Sequence, residues 1–121
     1  GEYQQVREES RDGHVCCYNR FGAAAKYISS DDLKGAELEN SFGELKVYFD
    51  NAKITEPSID IRVNNKFGSM VLYVPSAWNV VSDISVFLAS AEHESRFAAS
   101  DGPKVNVGGS VTLGEVRIVY V

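Results

Sequence analysis

An aromatic–glycine pair recurs along this chain at regular intervals, and that repetition limits the folds open to it more than any other feature. Phe-Gly stands at Phe21-Gly22, Phe42-Gly43 and Phe67-Gly68, with degenerate copies at Phe87-Leu88 and Leu113-Gly114. Phe21 and Phe67 are 46 residues apart, as are Phe67 and Leu113, and Phe87 lies 45 beyond Phe42. Self-similarity at such a period marks a repeat architecture, in which each unit buries its apolar face on the next. Glycine at the same point of each unit argues against a helical repeat, because it disfavours helix interiors by about 1 kcal/mol.

The residues after each pair alternate with period two. Leu45, Val47 and Phe49 interleave with Glu44, Lys46 and Tyr48; Met70, Leu72 and Val74 with Ser69, Val71 and Tyr73; Val116, Ile118 and Tyr120 with Glu115, Arg117 and Val119. Successive residues of a strand point to opposite faces, so this is the pattern of half-buried strands. Ile59, Ile61 and Val63 repeat it between the copies, and shorter strand candidates stand at 36–39 and 105–107. Turn chemistry separates them at Asp50-Asn51, Asn64-Asn65, Pro75-Ser76, Asp101-Gly102-Pro103 and Gly108-Gly109. Residues 82–97 also fit an amphipathic helix, but the offset from Phe42 favours a degenerate strand repeat. The expected fold is all-β: a repeat-built sandwich or a right-handed β-solenoid-like stack of short strands. Each Phe is expected to fill a core layer, and each Gly to allow a bend or close backbone approach.

Residues 1–14 are polar, lack an apolar period and read as a flexible linker; residues 15–121 read as one all-β domain. The net charge of −5 and the scatter of 12 basic residues among 17 acidic ones leave no basic stripe for nucleic acid or anionic lipid. No run approaches the roughly 18 apolar residues that cross a bilayer. Adjacent Cys16 and Cys17 are poorly placed to bridge each other, and a chain with two thiols reads as intracellular.

No catalytic, cofactor or metal site is expected. His14 and His93 sit in no zinc-ligand frame. Cys17 with His14 is a conceivable thiol–imidazole pair, but both abut the polar N-terminal segment, far from the rigid support an active site needs. Asp31-Asp32 and Asp50-Asn51 do not fit a calcium loop. The candidate interaction surface is aromatic. Tyr48 and Tyr73, at equal offsets from two Phe-Gly pairs, are placed to stack across strands. Trp78, after Pro75, is expected to cover the open end of the core or to anchor a partner.

Several stretches together resemble the C-terminal domain of LiaF-type proteins, the cell-wall-active antibiotic response family, and the wider toast-rack group. They are residues 40–47, Asp50-Asn51-Ala52, residues 59–63, Phe67-Gly68-Ser69-Met70, and residues 74–80 (Val-Pro-Ser-Ala-Trp-Asn-Val). The resemblance spans residues 21–121. It departs at Leu88, where the family keeps glycine, and at Leu113, where Phe is common. It implies stacked rungs without catalytic residues, and a membrane-anchored protein whose soluble domain faces the cytoplasm. It also implies regulation of a two-component sensor kinase under cell-envelope stress. The expected partner is therefore a membrane protein. The alternatives are a scaffold that self-assembles through edge strands and a module that binds cell-wall or lipid precursors.

Overall fold

A computed structural model describes residues 5–94 and 101–121, residues 5–11 by backbone alone. Among them the chain forms nine strands and no helix: β1 (Gln5–Arg11), β2 (His14–Ser30), β3 (Gly35–Ala52), β4 (Ser58–Lys66), β5 (Ser69–Val74), β6 (Asn79–Phe87), β7 (Ser90–His93), β8 (Lys104–Thr112) and β9 (Glu115–Tyr120). Every pairing except that of β1 with β2 is parallel. The strands stack as a β-solenoid of about four turns. The expected all-β repeat fold is thus a solenoid. The strand reading of residues 82–97 holds through His93, with a break at Leu88-Ala89; residues 95–97 lie outside the described residues.

Each coil is a strand, a corner, a second strand and a return loop. β2 and β3 run unbroken through their corners, whereas β4–β5, β6–β7 and β8–β9 divide there. The first sheet joins His14–Arg20 of β2 to Gly35–Ser41 of β3, then β4, β8 and β6. The second joins the later halves of β2 and β3 to β5, β9 and β7. The coils are therefore not stacked in chain order. The last coil, β8–β9, lies between β4–β5 and β6–β7.

The alternation in the sequence becomes columns of stacked side chains. Val15, Ala36, Ile61 and Val107 form one inward column, and Val47, Leu72 and Ile118 another. All seven are buried, and burial of a side chain the size of Val or Leu contributes about 1.5–3 kcal/mol. Trp78, in the loop before β6, is 4% exposed and packs at a tilt on Phe49, 5.8 Å between ring centroids. It closes the core beside that loop.

Three local expectations are corrected. The segment expected as a linker contains β1, which pairs antiparallel with the start of β2. An edge strand needs backbone partners on one side only, so a polar sequence can form one. Its turn is Asp12-Gly13, both at positive φ, the conformation that Asp-Gly hairpins favour. Residues 1–4 lie outside the described residues. Asp50-Asn51, Asn64-Asn65 and Gly108-Gly109, expected as turns, lie inside β3, β4 and β8. Finally, the fourth corner is Leu88, with left-handed φ, and not Phe87. Phe42 and Leu88 are then 46 residues apart, matching the other two intervals.

Candidate interaction surface

The corners explain which aromatic residues reach solvent. Asn19, Asn40 and Asn65 point inward and are buried. Two residues later, unbroken alternation would turn each Phe inward as well. Instead Phe21, Phe42, Phe67, Leu88 and Leu113 take left-handed backbone, with φ between 50° and 62°, and the side chains swing out. The three phenylalanines are half-exposed, which corrects the expectation that they fill core layers.

Left-handed backbone disfavours an L-residue by about 1–2 kcal/mol, and the buried asparagines offset this at the first three corners. Asn40 Nδ2 donates to the carbonyl of Gly43 at 2.8 Å and to Asn65 Oδ1 in the next coil at 2.7 Å. Asn19 does the same to Gly22 and Asn40, and Asn65 donates to Gly68 and across to Glu115. Gly22 takes positive φ, whereas Gly43 and Gly68 are set by approach of the neighbouring coil. A Cβ on Gly68 would overlap the carbonyl oxygen of Gly43.

Turned outward, the rings stack. Phe21 and Phe42 lie 5.4 Å apart, and Phe42 and Phe67 4.9 Å apart and nearly parallel. Exposed Leu113 and Leu88 continue this apolar ridge to the far end of the stack. Six residues after each Phe a second track forms: Tyr27 on Tyr48 at 4.6 Å, and Tyr48 on Tyr73 at 4.4 Å, both within 9° of parallel. Between the two tracks, Lys46, Val71 and Arg117 form one row of the second sheet's outer face, and Arg117 pairs there with Glu92 at 3.4 Å. Desolvation among the rings, then repulsion from Tyr73 and Tyr27, pushes the Tyr48 phenol above its ordinary value of 10.0.

Tyr48 and Tyr73 thus meet as their equal offsets from Phe-Gly indicate, and Tyr27 joins them. It occupies the same offset from Phe21, which is the signal that would have found it. Trp78 does not belong to this surface, because its side chain is buried in the core against Phe49. His14 is exposed while Cys17 is buried, so the two side chains lie on opposite faces of β2. Three shallow hollows on the first sheet share Arg62 on their rims, the smallest about 330 Å³ with Glu37, Glu39 and Asn64 beside it. No helix among the described residues is long and apolar enough to cross a membrane.

No family model, no curated protein and no solved structure matches this chain.

Proposed function

We propose that this chain is a non-enzymatic regulatory interaction domain that binds a protein partner through the second sheet's outer face. The observation that carries this reading is the stacked Tyr27–Tyr48–Tyr73 track facing the Phe ridge across a charged strip. Tyrosine and phenylalanine supply large contact area at low entropic cost, and interfaces concentrate their binding energy in such residues. A stacked solenoid presents them preformed, so little ordering is required on binding. The resemblance of the Phe-Gly and Val-Pro-Ser-Ala-Trp segments to LiaF-type domains supports a more specific role. In that role the domain belongs to a membrane-anchored protein, faces the cytoplasm and restrains a two-component sensor kinase of the envelope-stress response. To shift the kinase it must hold one of the kinase's states more tightly than the other.

The test is autophosphorylation of such a kinase in membrane vesicles, titrated with the domain. The unaltered domain lowers the initial rate. The double variant Tyr48→Ala, Tyr73→Ala, still folded by circular dichroism, requires at least about tenfold more protein for the same effect, the loss expected on truncating two aromatic anchors. A rate indifferent to the domain, or a double variant as effective as the parent, refutes the reading.

A further inference from the structure

The two ends of the solenoid are finished differently. At the first coil, β1 covers the outer edge of His14–Arg20. At the opposite end the outermost coil is β6–β7, and among the described residues no strand pairs with its outer side. Beyond Asn79, β6 therefore presents an outer edge of backbone donors and acceptors that no strand among the described residues pairs. Proteins normally guard such an edge with Lys, Pro, a bulge or a covering segment. The nine residues of β6, Asn79–Phe87, hold no Lys and no Pro, and they pair with β8 without a register break. The coil end is also apolar: Val81 is 47%, Val86 52%, Phe87 64% and Leu88 73% exposed.

The sequence of β6 is complementary to itself. In an antiparallel pair of two β6 strands related by a two-fold axis through Ile84, Val81 lies opposite Phe87 and Asp83 opposite Ser85. Ile84 meets its own copy. Ser82 and Val86, both inward, face each other, so the two interiors join. The outer face reads apolar, polar, polar, apolar in either direction. Val81 with Phe87 is an aromatic–β-branched pair, a favourable cross-strand combination, and the Ser85 hydroxyl can donate to Asp83. An axis through Asp83 would set two carboxylates opposite each other, and a one-residue slip would match inward with outward positions.

The area suffices. Nine residues span about 30 Å, and two layers about 10 Å apart make an end face of roughly 600 Å² once the sheets' own thickness is included. Two copies would bury about 1,200 Å², the lower bound for a specific, stable interface. We infer that this chain forms a two-fold dimer through the edge of β6, continuing the sheets and interior of one solenoid into a second copy. β1 obstructs the first sheet at the other end, so the contact closes on itself instead of propagating into a filament.

The test is sedimentation equilibrium of the whole chain over a concentration series, paired with cross-linking in a Cys16→Ser background. The parent is expected to dimerise with a micromolar dissociation constant. Phe87→Lys, which places a charge opposite Val81, is expected to weaken this by about tenfold or more. Oxidation of an equal mixture of Asp83→Cys and Ser85→Cys chains is expected to give disulfide dimers faster than either chain alone, because residue 83 faces residue 85 across the axis. A chain that stays monomeric to about 1 mM, far above the micromolar range expected of an interface this size, overturns the inference and leaves the edge to a different protein. A dimer that Phe87→Lys does not weaken, and whose mixture does not cross-link preferentially, overturns it too, because the copies then meet elsewhere.

Discussion

At the scale of single residues, Asn40 carries the most. Its amide joins the first three coils, accepting from Asn19 and donating to Asn65, Gly43 and Ser69. Asn40→Ala removes the donor of the buried Asn65 Oδ1, at about 1–3 kcal/mol, and with it the bonds to Asn19, Gly43 and Ser69, although Asn19 Nδ2 keeps the carbonyls of Gly22 and Glu44. We expect a loss of about 3 kcal/mol, read as a lower urea midpoint. Asn19→Ala should cost less, because Asn19 Oδ1 has no donor among the described residues even in the intact chain. Equal effects at the two positions would mean that the inter-coil amide bonds contribute little. The ladder was legible in principle: Asn-x-Phe-Gly recurs at Asn19, Asn40 and Asn65. It was missed because Asn64-Asn65 also looks like a turn, and because amides seldom fill a core unless stacked copies satisfy one another. The outward Phe rings were hidden for a related reason. One left-handed residue reverses an alternation that the flanking strands keep, and nothing about Phe announces that backbone.

At the scale of elements, strand content and coil boundaries are legible in the period-two alternation, whereas β1 is mostly polar and only the Asp12-Gly13 turn marks it. β7 shows what the alternation could not foretell. Its His93 pairs in register with Ile118, in the inward column that Val47 and Leu72 occupy in other coils. The ring sits 3.1 Å from the Tyr120 hydroxyl, and Glu94 carries the edge onward by accepting from the Tyr120 amide at 2.8 Å. Desolvation pulls His93 below its ordinary value of 6.5, with Glu94 opposing the shift. A histidine depressed in the folded state takes up its proton more readily when unfolded. Its contribution to stability is therefore full above about 6.5 and is lost as pH falls through and below that value. Amide exchange in β7, corrected for intrinsic rates, should accelerate relative to β9 between pH 7.5 and pH 5.5, and His93→Gln should flatten the difference. The same acceleration in His93→Gln would assign the effect to another group.

At the scale of the whole molecule, the order of the coils was not legible from periodicity, because every coil offers the same inward columns. The corner residues do not distinguish them either. Gly114 rests against Gly68, where an added Cβ would overlap the Gly68 carbonyl oxygen, yet Ala89 takes the same place against Gly114, with Ser90 N–H on the Gly114 carbonyl at 3.1 Å as Glu115 N–H is on that of Gly68. β6–β7 is held on the outside of β8–β9 and pairs with no other coil among the described residues. The last coil of the chain is therefore internal, and β6–β7 depends on it entirely. A chain ending at residue 103 should lose the order of β6 and β7 together with the deleted strands, while β2, β3 and β4 keep protected amides. Protection of β6 that survives the deletion would show that β6–β7 docks on β4–β5 without β8–β9.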